Sequence, residues 1–212
     1  MNLLKKYGLT FFALLALTVT LHGQRLQFDV ELKAGGGPIN VANADDNMDS
    51  NIDHAEIFPV QGGLHLAITQ HLAIGGFYAR SVAGSVYYQS GSSSTSNFSS
   101  PGYDVSIESL MYGLDLRLST GRAAKWRPYI SASYGKAEFV QEASEEQPYS
   151  LAASSKLIAL NGGMMLRFGH NFYWNLFEVS GKYLPDRIFW LDSDLCIEFK
   201  TGFLYHIRLK SK

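Results

Sequence analysis

Three things are scarce in this 212-residue chain. It has a single cysteine, Cys196, which excludes an internal disulfide framework in any redox compartment. It has no excess of either charge: the formal net charge is -1, and the Lys and Arg residues are dispersed along the sequence. Phosphate-backbone binding needs clustered cations, so nucleic acid is excluded as a partner. Long apolar runs are also missing. The one sustained stretch, Phe11 to Leu21, is shorter than the roughly 20 residues that cross a bilayer as a helix.

That stretch follows Lys5 and Lys6 and leads into His22-Gly23-Gln24, the order of a secretory signal peptide. Residues 1–23 are therefore expected to be a signal peptide and residues 24–212 one mature domain. No cysteine follows the expected cleavage point, so lipoprotein processing is excluded. Any membrane span in the mature part would have to be made of strands.

What is present is alternation. Leu26, Phe28, Val30, Leu32 and Ala34 share one parity, and Gln27, Asp29, Glu31 and Lys33 share the other, because successive strand side chains point to opposite faces. Seven further segments repeat the pattern. Apolar sets run through Phe58 to Ile68, Leu72 to Tyr78, Leu110 to Leu118, Ile130 to Tyr134, Ile158 to Phe168, Phe177 to Tyr183 and Leu195 to Leu209, each interleaved with small, polar or charged residues. Lys136 and Asn175 interrupt the fifth and seventh, since both fall on the apolar parity.

The connections alternate too. Short ones are read at Gln70-His71, Ser119 to Lys125 and Gly169 to Asn171. Long ones are read at Gly36 to Ala55, Gly84 to Asp104, Ala137 to Ser155 and Pro185 to Asp192. Short turns at one end and long polar loops at the other, with both termini on the short-turn side, is the asymmetry of barrels inserted into an outer membrane.

Alternation does not say which face is outside. A soluble lipocalin-like barrel would line its lumen with the apolar set and bind a ligand there. A membrane barrel would do the reverse. The second arrangement is favoured because the polar parity carries both signs (Asp29, Glu31, Lys33, Asp115, Arg117, Arg167, Glu178, Lys182, Glu198, Lys200, Arg208) and can neutralise itself in a narrow interior. Aromatics also gather at strand ends, with Trp126, Phe172, Tyr173 and Trp174 near the short turns and Tyr87, Tyr88, Tyr103, Tyr183, Phe189 and Trp190 near the loops.

On these features the chain resembles the small outer-membrane barrels of the OmpA transmembrane-domain and OmpX type. The resemblance covers nearly the whole mature chain and includes a terminal strand, Leu195 to Leu209, similar to those read by barrel-assembly machinery. It implies an all-β fold, an antiparallel up-and-down eight-stranded transmembrane β-barrel, monomeric, in the bacterial outer membrane. Its partners would be outer-membrane lipid and lipopolysaccharide, with the assembly machinery during insertion. About eight strands leave room only for side chains, so a plugged, charged lumen is expected rather than a pore, with a structural or surface-interaction role in the long loops.

The sharpest local motif lies in the first loop. Asp45, Asn47, Asp49, Asn51, Asp53 and Glu56 fall at positions 1, 3, 5, 7, 9 and 12 of an EF-hand-type calcium loop, with Ile52 at the eighth place. Ser50 replaces the turn glycine and no amphipathic helix flanks the segment, so a solvated acidic loop is the competing reading. No other cofactor is expected. Lipid A modification, known among such barrels, would need a nucleophile beside a base. His65 and His206 fall on lumen parity and His71 and His170 in short turns, none of them in a His-x-Ser spacing, so the chain is not expected to be an enzyme.

Overall fold

The structure, a computed structural model, describes residues 27–41, 53–88, 103–143, 150–186, 188 and 194–209. The signal-peptide segment lies outside these residues. The described residues form eight strands: β1 (Gln27–Val41), β2 (Asp53–Ala67), β3 (Leu72–Tyr88), β4 (Tyr103–Ser119), β5 (Trp126–Ala143), β6 (Ser150–Arg167), β7 (Phe172–Tyr183) and β8 (Leu195–Arg208). Each pairs antiparallel with its neighbour in sequence, and β8 returns to pair with β1. Closure gives every strand a neighbour on both sides and leaves no open sheet edge, as a span without water requires.

Polarity is inverted relative to a soluble barrel. Asp29, Glu31 and Lys33 are buried, while Val30 and Leu32 between them are 41% and 59% exposed. Leu64, Leu114, Ile130, Leu160, Phe177 and Phe199 lie on the same outer surface and are exposed. A continuous exposed apolar surface of this extent is a lipid-facing one. The lipocalin-like alternative requires the opposite polarity and is set aside.

The outer surface also has borders. At the short-turn end, Trp126, Phe168 and Trp174 are exposed, and Phe172 stacks edge-on against Phe168 (centroids 5.1 Å) and lies 5.5 Å from Phe203. At the other end, Tyr78, Tyr112, Tyr134 and Tyr183 point outward. Immediately beyond them stand the outward ion pairs Arg80–Glu108 (2.8 Å) and Lys136–Glu138 (2.7 Å). Trp126 and Lys136 are separated by about 34 Å of strand, which at a tilt of roughly 40° gives a height of about 26 Å, close to the apolar band of such barrels. Lys136 thus keeps the outward parity of strand five and sits at its polar border. Tyr173 differs from expectation. It is buried, because Phe172 and Trp174 on either side take the outward positions.

The strands run further than the alternation indicated. The first three long connections shrink to residues 42–52, 89–102 and 144–149, because β1 to β6 keep pairing beyond the apolar band, whereas the fourth widens slightly to 184–194. Gly36 and Gly37 lie inside β1, paired with β8 and β2, rather than in the first long connection. Backbone pairing needs no hydropathy pattern once the outer face leaves lipid, so these extensions leave no periodic trace. Asn175 has a different explanation. The register slips between Asn175 and Glu178, so Trp174 and Phe177 both face out while Asn175 and Glu178 both face in. This β-bulge, with one extra residue in β7, restores the parity that a regular strand would break.

The charged lumen as candidate functional site

Inward parity gathers the charged residues from β1, β2, β4, β7 and β8 into one chain of alternating sign across the barrel. Lys182 is paired with Glu198, which reaches Lys200 at 3.2 Å. Lys200 lies 3.4 Å from Glu178, whose second oxygen accepts from Lys33 at 2.6 Å. Lys33 also lies 3.0 Å from Glu31, and Glu31 is 2.8 Å from Arg117. Arg117 continues to Asp115 at 3.6 Å, where His65 Nε2 stands 2.9 Å from Oδ2 and the Ser133 hydroxyl donates to Oδ1 at 2.7 Å. The four cations (Lys33, Arg117, Lys182, Lys200) equal the four carboxylates (Glu31, Asp115, Glu178, Glu198). A buried charge is tolerated only when paired, which is the condition this set meets.

Tyr129 of β5 is the hub. Its hydroxyl donates to Glu178 at 2.5 Å and lies 2.9 Å from the Asn175 amide. Arg117 and Lys33 lie over its ring at 5.0 and 5.7 Å. Two inward glycines leave the room these groups need. A Cβ at Gly163 would lie 2.7 Å from the Tyr129 hydroxyl, and one at Gly63 would lie 2.8 Å from the Glu31 side chain. Beside the ion chain, Asn161 donates to Ser131 and Ser133 and accepts from Ser180 at 2.5 Å.

Toward the long loops the interior turns apolar. Ile57, Ile107, Met111, Phe139 and Leu157 pack there with Leu184 and Ile188, which the β7–β8 connection folds into the mouth. Cys196 is buried in the same cluster, and Lys182 Nζ reaches Met111 Sδ at 3.1 Å where the apolar and charged layers meet. Nothing in the alternation flagged this layer, because apolar residues on both parities erase the period.

At the short-turn end a second polar group surrounds Asp29. Arg122 lies 3.0 Å from Asp29 Oδ2, Arg127 lies 3.9 Å from the same oxygen, and His206 Nδ1 lies 2.7 Å from Oδ1. The Tyr173 hydroxyl donates to the Arg122 carbonyl, and Arg127 Nε donates to Ser119 at 2.9 Å. Burial pulls the Arg122 guanidinium below its ordinary pKa, Asp29 and Tyr173 oppose this, and Arg117 and Arg208 reinforce it. Sequence reading missed Arg122 and Arg127, one inside an apparent turn and the other ahead of the recognisable alternation.

Most of the expected lumen set is where parity placed it, and His65 and His206 are buried in polar contact as expected. Arg167 instead sits at the short-turn rim and donates to the carbonyls of Gly169, Ala123 and His170. Arg208 is exposed at the lumen mouth. Of the calcium-loop set, Asp45, Asn47, Asp49 and Asn51 lie outside the described residues. Asp53 opens β2 opposite Val41, and Glu56 follows in β2 opposite Pro38, exposed. Among the described residues no group of three or more His, Cys, Asp or Glu is placed to hold a metal ion. Tyr87, Tyr88 and Tyr103 lie in strands whose side chains there are outside the description, as are Phe189 and Trp190.

No protein-family model matches the chain, and no curated protein matches it in sequence. Solved structures do. Neisserial surface protein A superposes with a TM-score of 0.55 at 10% identity, covering 86% of this chain and 97% of the other. The outer membrane protein OprG from Pseudomonas aeruginosa gives a TM-score of 0.52 at 11% identity, with 87% and 96% covered. At such identities the likeness is one of fold, and it joins the inverted polarity and the aromatic borders in one conclusion: the chain has the fold of the small eight-stranded outer-membrane β-barrels.

Proposed function

We propose that this protein is a bacterial outer-membrane barrel whose lumen is closed to solutes, and that it acts as a structural or surface-interaction protein through its long connections. The observation that carries this reading is the continuous chain of buried ion pairs from Lys182 to His65, which fills the interior of the barrel, with the apolar layer above it. A solute passing through would have to separate pairs whose breaking leaves a buried charge, at about 3–5 kcal/mol each. Function is then left to the surface. The long connections and the strand ends beside them are rich in acid, with Asp45, Asp46, Asp49 and Asp53 at one and Glu142, Glu145 and Glu146 at another. Such segments suit divalent cations that bridge lipopolysaccharide phosphates, and the first offers calcium Asp45, Asn47, Asp49 and Asn51 at alternate positions, leading to Asp53 and Glu56 at the start of β2. The assembly machinery would act on β8 during insertion, the barrel would be monomeric, and no enzymatic role is proposed.

Membrane fractionation with detergent extraction, heat-modifiable migration on gels and planar-bilayer recording test the reading. An integral outer-membrane barrel with no conductance is the expected result. A steady open-channel conductance would refute the closed lumen. Calorimetric titration with calcium at millimolar concentration tests the first loop, and absence of heat removes that site.

A further inference from the structure

The two ends of the barrel differ in charge in a way the net value hides. Among the described residues the turn segments of the short-turn end, 66–73, 117–130, 165–174 and 204–209, contain no Asp or Glu, and the start of β1 adds only Asp29 there. They contain Arg117, Arg122, Lys125, Arg127, Arg167 and Arg208, with His71, His170 and His206, within the described residues. Arg117 is neutralised by Glu31 and Asp115 in the central chain, and Arg167 is spent on turn carbonyls. The inward-facing remainder, Arg122, Arg127 and Arg208, has one carboxylate among the described residues, Asp29.

The ion-pair count thus leaves positive charge over at this mouth, where the central chain closes to zero. Polar atoms are left over as well. Arg122 Nε and His206 Nε2 have no hydrogen-bond partner among the described residues, although Arg122 is 8% and His206 3% exposed. Arg208 is exposed at the same mouth, and it pairs in register with Gln27, whose Oε1 accepts from Arg122 Nη1 at 3.3 Å. An unpaired buried donor and an uncompensated buried cation are both unfavourable, and a bound anion relieves both at once. Planar guanidinium groups match oxyanions, which accept two parallel donors.

The geometry points to an oxyanion-binding site at the short-turn mouth of the lumen, formed by Arg122, Arg127, Arg208 and His206 around Asp29, that takes a phosphate group. The phosphate has two sources. It could be free in solution, or it could be the headgroup of an anionic phospholipid in the adjoining leaflet. The site does not depend on the closed lumen or on the role of the loops, and its free-phosphate arm needs no membrane.

The test uses the full chain refolded in zwitterionic detergent, with heat-modifiable migration as the check that each variant is folded. Inorganic phosphate is titrated against chloride of equal ionic strength, and the barrel is separately reconstituted in phosphatidylcholine vesicles with and without phosphatidylglycerol. Expected is saturable phosphate binding with a raised unfolding midpoint, or a midpoint raised by phosphatidylglycerol alone, weakened about tenfold in Arg208→Gln and abolished in Arg122→Gln. The first result assigns the site to free phosphate and the second to lipid. Arg122 also holds Asp29 and Tyr173, so its variant can fail to fold; exposed Arg208 then carries the decision. If neither probe exceeds its control, or if Arg208→Gln responds like the native chain, the site is refuted.

Discussion

The two halves of the lumen solve one problem by different means. Toward the long loops, Ile57, Ile107, Met111, Phe139 and Leu157 fill the interior as an ordinary protein core would. Toward the short turns the same volume is filled by ion pairs arranged about Tyr129. An apolar core is non-directional and accepts substitutions that keep volume, whereas an ion-pair chain is directional and fails wherever one partner is lost. The contrast predicts that the charged half fixes the relative setting of the strands, because Glu178 and Glu31 each tie together groups from different strands. The apolar half contributes bulk stability and takes Leu184 and Ile188 into its packing.

Removing a carboxylate from the middle of the chain is the severest way to break this contrast. Glu178→Ala leaves Lys33 and Lys200 facing each other without their shared partner and takes the acceptor from Tyr129, so a loss of about 3–5 kcal/mol is expected. Urea unfolding in detergent micelles measures it. Glu178→Ala combined with Lys33→Met should lose less than the single variant, and equal losses would contradict the pairing argument. In the apolar half, Leu157→Ala removes a fully buried side chain at about 2–5 kcal/mol by the same assay. Its spectroscopic signature should be intact, with the native near-ultraviolet dichroism of Tyr129 retained, because the ion chain is untouched.

A smaller effect sharpens the boundary between packing and charge. Gly163→Val puts side-chain atoms where the Tyr129 ring stands and should lower stability by about 1–3 kcal/mol while altering the tyrosine signal. Tyr129→Phe should recover none of that loss, since the ring rather than the hydroxyl alone is crowded. Least is expected outside. Arg80→Ala breaks an ion pair exposed on both partners, and its unfolding midpoint should match the native one at moderate salt.

Much of this architecture was legible because lipid and lumen impose a strict period of two. Val30 against Glu31, or Ile197 against Glu198, declares its parity without any knowledge of neighbours. Residues were missed wherever that constraint lapses. Arg127 precedes the clear alternation of β5, Asn175 is turned inward by a bulge that no local propensity announces, and Phe139 and Leu157 lie on inward parity where the lumen is apolar. Glu56 reads equally well as a loop ligand or a strand residue, and pairing with β1 places it in the strand.

By itself, then, the sequence determined the number and direction of the strands, the alternation of short and long connections, and the set of residues that share a face. Each of these follows from the chirality and pleat of an extended chain, which act locally. Only the tertiary structure decided which face meets lipid, that Lys182 to His65 form one continuous chain, and that basic residues dispersed along the sequence converge at one mouth with Asp29 as their single described carboxylate. Those outcomes depend on closure, because β8 must reach β1 before residues 177 positions apart, such as Asp29 and His206, can touch.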